Sequence, residues 1–407
     1  MANLLYLVHR IPYPPNKGDK VRSYHILKHL AARHRVFMGT FADDPDDMQH
    51  VARLSKLCAG LRVVELSPRL ARLRSVSGFA ANEPLSVAYY RNAELARWVD
   101  TTLKSERIDA CLVFSSAMAQ YLAGADTPRT VLIDFVDVDS AKWFQYADSR
   151  RWPLSWVYRR EGRRLLAFER AAADRATRAF FVTDAEADLF RRLAPGCVGS
   201  IETIGNGVDT DHYAPAHSYP TPFVSATVPI VFTGAMDYWP NVDAVRWFVD
   251  AVLPNVLNAF PTAHFSIVGM RPTAAVKALA SANVTVTGTV PDVRPYLQHA
   301  AVVVAPLRVA RGIQNKILEA MAMGRPVVAT DACGAGIDAV FGRDLLTAGD
   351  AAAMAEAVVS LLRDSDAARR MGNAARARIV SRYTWDAQLC RLENALSREP
   401  SQAGVAA

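Results

Sequence analysis

The chain has 407 residues, is 51% hydrophobic and carries a formal net charge of +7, enough length and apolar content for two cored domains. Its five cysteines (Cys58, Cys111, Cys197, Cys333, Cys390) are scattered and odd in number, which excludes a disulfide scaffold and a cysteine metal site and fits reduced thiols in a cytoplasm. The basic excess lies in one half: residues 1–200 hold 30 Lys and Arg against 22 Asp and Glu, and residues 201–407 hold 17 against 18. That asymmetry predicts an anionic partner such as a membrane surface, a lipid diphosphate or an acidic polymer, and no zinc-finger spacing or RNP-like stretch points to nucleic acid.

Leu4–His9 reads as a first strand; as an apolar run it is too short for a signal peptide, and no run reaches membrane-span length. The loop that follows holds His9, Arg10, Lys17, Gly18, Asp19 and Lys20 and leads into a helix from about Val21 to Arg33. Neither this nor any other strand–helix junction carries G-x-G-x-x-G, which argues against a dinucleotide oxidoreductase. Apolar runs recur at Arg35–Phe41, Leu61–Leu66, Ala110–Phe114, Val131–Val136 and Ala179–Val182, with helical stretches between, the alternation of an α/β sheet. Asp134, Asp137 and Asp139 mark the end of the fifth run. Asp137 and Asp139 share a face if the strand continues; capping of the helix from Ser140 is the plainer reading, and no metal site is expected. From Arg150 to Arg178, nine arginines stand against Glu161, Glu169 and Asp174, interleaved with Trp152, Trp156, Leu165 and Phe168. This pattern fits a basic amphipathic helix on an anionic membrane surface, or a domain helix with solvated arginines.

The turn Asn206-Gly207-Val208-Asp209 and a proline-rich stretch, 211–229, read as a domain boundary and linker. A second α/β set follows at Ile230–Thr233, His264–Val268 and Val284–Thr287, then Ala300–Pro306 and Pro326–Thr330. Between the last two runs, Ile313, Ile317, Leu318, Met321 and Ala322 recur at helical spacing until Gly324. From Leu307 to Leu318 there is no acid, yet Arg308, Arg311 and Lys316 crowd the helix start. A helix N-terminus prefers anions. Backbone N–H groups of Gly312, Ile313 and Gln314 with these cations suit a diphosphate, and Glu319, one turn on, suits a ribose diol. The bland alternative is a solvated basic helix start; for Glu319 it is a salt bridge to Lys316 or Arg325.

The pattern P-x-R…G-x-x-x-K-x-x-E-A-M-A-x-G-x-P-V-V, with the N-G-V-D turn, resembles the retaining glycosyltransferase family 4. The resemblance implies the GT-B architecture: two Rossmann-like α/β domains facing across a cleft, here 1–210 for the acceptor and 230–383 for the nucleotide sugar, with 384–407 packing back on the first. It implies donor contacts from Gly234, Arg308, Arg311, Gly312, Ile313, Gln314, Lys316 and Glu319, and a nucleobase beside Val290 in the loop Thr287–Val293. Gly18, Lys20 and Arg22 fall at the acceptor loop. The sequence departs from the family in three places. Arg311 stands where a first glutamate usually contacts the donor sugar, the loop from Gly234 to Asn241 lacks the usual Arg and Lys, and Asp137 and Asp139 stand where a histidine is common.

The expected activity is metal-independent, cofactor-free, retaining transfer of a sugar from a nucleotide donor to a lipid-linked or polysaccharide acceptor. The subfamily resembles sugar transferases of bacterial exopolysaccharide and exosortase systems, placed in the cytoplasm or on the inner face of its membrane. The alternatives are a UDP-sugar 2-epimerase of the same fold and a non-catalytic sugar-nucleotide or polysaccharide-binding protein.

Overall fold

The computed structural model describes residues 1–15, 17–122, 124, 127–148, 150–197, 200–310 and 312–397. The chain forms two compact units, Met1–Gly205 with the stretch from Leu389 onward, and Asn206–Gln388.

In unit 1, β1 (Asn3–Val8), β2 (Arg35–Ala42), β3 (Gly60–Glu65), β4 (Ala110–Phe114), β5 (Thr130–Val136), β6 (Arg178–Phe181) and β7 (Ser200–Thr203) make a seven-stranded sheet in the order β3-β2-β1-β4-β5-β6-β7. Every pairing is parallel. Helices cover both faces of such a sheet, so its central strands are buried and largely apolar, β4 throughout and β1 from Leu4 onward. Phe135, Phe181 and Phe190 meet in the core with ring centroids 5.0, 5.3 and 5.7 Å apart.

One polar contact runs through this core. Arg22, on the helix Gly18–Ala31, is fully buried, with Nε 2.7 Å from Asp134 Oδ2 and Nη2 3.1 Å from Oδ1. Its Nη1 donates to the carbonyl of Gly205 at 3.0 Å. The guanidinium therefore joins the first helix, β5 and the last residue of the first segment. Burial raises the Asp134 carboxyl above its ordinary value although Arg22 pulls it down, the balance expected of an ion pair taken out of water. At the other end of the chain, Glu393 lies between His29 and His34, each 3.1 Å away, and holds the helix Trp385–Ser397 from Leu389 onward to unit 1.

Unit 2 contains β8 (Val228–Thr233), β9 (Ala263–Val268), β10 (Val284–Gly288), β11 (Val302–Ala305), β12 (Val327–Thr330) and β13 (Leu346–Ala348), in the order β10-β9-β8-β11-β12-β13, again all parallel. The proline-rich stretch 211–229 lies within this unit. Tyr213, Tyr219 and Phe223 pack on its core, and Tyr219 N donates to Gln298 Oε1 at 2.9 Å. The α/β class expected from sequence, with doubly wound parallel sheets, is the class observed, while the edge strands β7 and β13 lie outside the apolar runs of the sequence.

Replacing Arg22 by Met leaves Asp134 buried without its partner, a loss of about 3–5 kcal/mol. Thermal unfolding of Arg22→Met is expected to occur at a markedly lower temperature, and adding Asp134→Leu to restore most of the loss.

Candidate functional site

Both sheets reverse their strand order between the first and fourth strands of the unit, and ligands of such sheets collect beyond the carboxyl ends of those two strands. In unit 2 these are β8 and β11. The loop after β8 runs from Gly234 to Tyr238, and the loop after β11 leads to the helix Asn315–Ala322. Gly312 sits in that loop at φ +63°, a left-handed conformation suited to glycine, and its carbonyl lies 2.6 Å from where a Cβ on Gly336 would be. The helix begins two residues later than Ile313, with Gln314 as an extended N-cap that makes no side-chain cap bond. Its first-turn N–H groups are therefore uncapped by a side chain, and its first turn holds a lysine and no acid.

That lysine is Lys316. Its Nζ donates to Asn241 Oδ1 at 2.7 Å and lies over the Phe232 ring, 4.4 Å from the centroid. Asn241 is itself buried and donates through Nδ2 to Ala235 O at 2.8 Å, so it fixes both the loop after β8 and the ammonium. Gly234 leaves room for this: a Cβ there would stand 2.8 Å from Asn241 Nδ2 and 3.3 Å from Lys316 Nζ. Among the described residues no carboxylate is in hydrogen-bond contact with Nζ, and desolvation pushes the Lys316 pKa down to about 8, resisted by Cys333 and Glu319.

Glu319 follows one turn on. Burial pushes its carboxyl up to about 7, against the pull of Lys316 and a hydrogen bond with Tyr213. The partner is thus a neutral hydroxyl from the proline-rich stretch rather than Arg325. A half-buried cation, an open helix start and a carboxylate one turn further form a graded site. The first two suit phosphate oxygens and the third suits hydroxyl donors.

The other expected donor residues distribute around this centre. Arg308 is exposed and engaged with Asp243, Nε to Oδ2 3.0 Å, at the side of the helix Trp239–Trp247. Ile313 and Gln314 are half-buried in the loop before the helix, and Val290 is half-buried beyond β10. Arg311 lies outside the described residues.

In unit 1, Gly18 opens the first helix, but Lys20 and Arg22 do not present free cations. Lys20 is buried with Nζ 2.6 Å from Asp47 Oδ2, and Arg22 is held by Asp134. The polar groups at the carboxyl ends of β1 and β2 are instead His9 and Arg10 with the aspartates they meet. Arg10 bridges Asp19 and Asp43, each at 2.7 Å, and His9 Nε2 lies 3.4 Å from Asp19. His9 stacks on Phe114, and its Nδ1 is buried without a hydrogen-bond partner. Burial raises the Asp19 carboxyl, but His9 and Arg10 outweigh it and hold the group well below the usual range. The position of His9, directly after an apolar run, was the available signal. Asn241 and Tyr213 carried none, since each acts across sequence distance.

Asp137 and Asp139 come together on Lys142, at 2.8 and 2.9 Å. They follow Val136, whose φ of +68° is strained for a β-branched residue. The arginine-rich stretch forms the helix Leu154–Arg175, packed by Glu161, Leu165 and Glu169 into unit 1. Glu161 accepts from Leu85 N and Ser86 N, and Glu169 from Ser140.

Residues 227–364 match the family described as "Glycosyl transferases group 1". Over 240 residues the chain is 32% identical to a phosphatidyl-myo-inositol mannosyltransferase from Mycobacterium leprae (strain TN), a match covering 54% of this chain and 61% of that relative. The match thus spans less than two thirds of the relative's length. Among solved structures, Anabaena Alr3699/HepE in complex with UDP superposes with a TM-score of 0.68 at 17% identity, covering 98% of this chain and 100% of that one. WaaG, a glycosyltransferase involved in lipopolysaccharide biosynthesis, gives 0.67 at 16%, covering 97% and 100%.

The raised Glu319 pKa has a thermodynamic signature. A folded carboxyl that binds its proton more tightly than the unfolded one makes stability fall as pH rises from about 4.5 to about 7. Glu319→Gln removes that slope. Its melting temperature relative to the wild type is expected to be higher at pH 7.5 than at pH 5, by an amount equivalent to roughly 2 kcal/mol.

Proposed function

We propose that this chain, whose residues 227–364 match the group 1 glycosyltransferases, is a hexosyltransferase that takes a sugar from a nucleotide donor. The observation that carries the reading is Lys316, half-buried at a helix start that no side chain caps, its Nζ bonded to the neutral amide of Asn241 and, among the described residues, to no carboxylate. A diphosphate supplies the missing counter-charge. Lys316, the N–H groups from Gly312 to Gln314 and the helix start take the phosphates, Glu319 takes the ribose diol, and Gly234 permits close approach. Val290 borders the nucleobase, and Asp137 and Asp139 contact sugar hydroxyls. The solved relatives with UDP and with UDP-glucose support a nucleotide sugar as donor.

The proposed chemistry is retaining and needs no metal. The bond from the anomeric carbon to the β-phosphate oxygen breaks, and the acceptor hydroxyl oxygen bonds to that carbon from the same face. The hydroxyl proton passes to the departing phosphate oxygen, and nucleoside diphosphate leaves. Lys316 and the helix start stabilise the charge that grows on that oxygen. The acceptor is proposed to be a lipid-linked or polysaccharide intermediate of cell-surface glycan synthesis, met at the inner face of the cytoplasmic membrane. Among the described residues, no helix is long and apolar enough to cross a membrane.

A thermal-shift screen across UDP-, GDP-, ADP- and CMP-sugars tests the donor, with stabilisation by one nucleotide class expected and no response by any refuting the reading. Lys316→Ala is expected to weaken UDP binding about ten-fold or more while leaving uridine binding nearly unchanged. Wild-type affinity for UDP should fall as pH rises through about 8, because Lys316 then loses its charge; Lys316→Arg, which stays charged, should flatten that dependence. Glu319→Gln should bind UDP more weakly than the wild type, yet match it for the 2′,3′-dideoxy analogue. Isotope exchange into the donor sugar without acceptor would instead indicate the epimerase.

A further inference from the structure

The helix Pro68–Ser75 is packed inside out. Ala71 is its only fully buried residue, at 0% exposure, while Leu70 and Leu73 are 61% and 72% exposed, and Val76 continues the same stripe one turn on. Large leucines facing water from a helix that buries its alanine are not needed by the core. Arg69, Arg72 and Arg74 are exposed between them, and no acid occurs from Leu66 to Asn82.

The stripe continues onto a second element. The Phe79 ring stacks on Trp156, centroids 6.2 Å apart, and Arg160 lies over Phe79 while donating to the carbonyls of Gly78 and Glu83. Next to this clasp, Trp152, Leu154 and Trp156 are exposed, Trp152 by 80%, and Arg151, Arg159 and Arg163 are exposed around them. Six exposed large apolar side chains and six exposed arginines thus lie on two segments that the Phe79–Trp156 stack joins. On the longer helix Glu161 and Glu169 are turned inward and the exposed Asp174 lies at its far end, while Asp148, before the helix, pairs with Arg159 at 3.3 Å.

We propose that the stripe Leu70–Leu73–Val76, with Trp152, Leu154 and Trp156, inserts into the headgroup region of an anionic lipid bilayer. A protein partner for such a stripe would need its own row of carboxylates to meet the arginines, whereas an anionic bilayer supplies negative headgroups and an apolar interior in one surface. Leucines enter the acyl boundary, tryptophans sit at the interface, and arginines reach the headgroups with their stems along the apolar surface. The arginine-rich helix, which the sequence allows as either a docking element or a domain helix with solvated arginines, contributes its first turns and buries its other face in unit 1. The inference deepens the membrane side of the proposed function, and it rests on unit 1 without using the donor site.

The test is co-sedimentation of the full chain with vesicles of phosphatidylcholine, with and without phosphatidylglycerol, at low and high salt. The wild type is expected to bind only the anionic vesicles, and less at high salt. Leu70→Ser/Leu73→Ser should lower that partition at least about ten-fold at both salts. Arg69→Gln/Arg72→Gln/Arg74→Gln should lower it by a similar factor, mainly at low salt. Circular dichroism and UDP binding of the variants should match the wild type, which separates loss of docking from loss of fold or donor site. Wild type that ignores anionic vesicles at low salt overturns the proposal, as does undiminished binding by the leucine variant. A wild-type dimer in ultracentrifugation that the leucine variant abolishes, without vesicle binding, would assign the stripe to a second copy instead.

Discussion

A parallel sheet that grows outward in both directions from its first strand must send the following connections to opposite faces. This constraint creates the only place where two loops diverge at the carboxyl ends of adjacent strands. In unit 2 that place lies between β8 and β11, and the site depends on it. Phe232 and Gly234 belong to one side, Gly312 and Lys316 to the other, and Asn241 spans them. The same divergence in unit 1 gathers His9, Arg10, Asp19 and Asp43, with different chemistry on the same scaffold. Topology supplies the position of each cluster, and side chains alone decide what it can hold.

Unit 1 also shows how counting charges along a chain understates a surface field. Asp47, Asp134, Glu161, Glu169 and Glu186 are buried, each receiving hydrogen bonds from the protein, against two buried cations, Lys20 and Arg22. The exterior is accordingly more basic than the composition of the same residues. Buried carboxylates do structural work here that backbone N–H groups at irregular chain ends require.

The strands of both sheets were legible where the strand is buried on both faces, because burial writes an unbroken apolar run: Ala110–Phe114 reads the same in sequence and structure. β7 and β13 escaped because they are short edge strands with half-exposed residues, and nothing in Ser200–Thr203 or Leu346–Ala348 distinguishes them from loop. Lys316 and Glu319 stood out through an electrostatic anomaly confined to one short stretch. Arg22 was misleading for the converse reason, since its carboxylate is 112 positions away and nothing local signals it. Long-range pairing also explains the linker-like stretch. Prolines there suggest a tether, but Tyr213 and Tyr219 meet partners that are distant in sequence.

Tyr213 has a consequence for how the site discriminates. Its hydroxyl already acts on the Glu319 carboxyl, so on the function proposed above that carboxyl is not an empty receptor. An incoming ligand must compete with an internal placeholder attached to the fold. A ligand offering a single hydroxyl merely exchanges one donor for another, with little net gain, whereas a vicinal pair adds a second bond that the phenol alone cannot make. The tyrosine therefore acts as a threshold, turning a simple acceptor into one that rewards two donors over one.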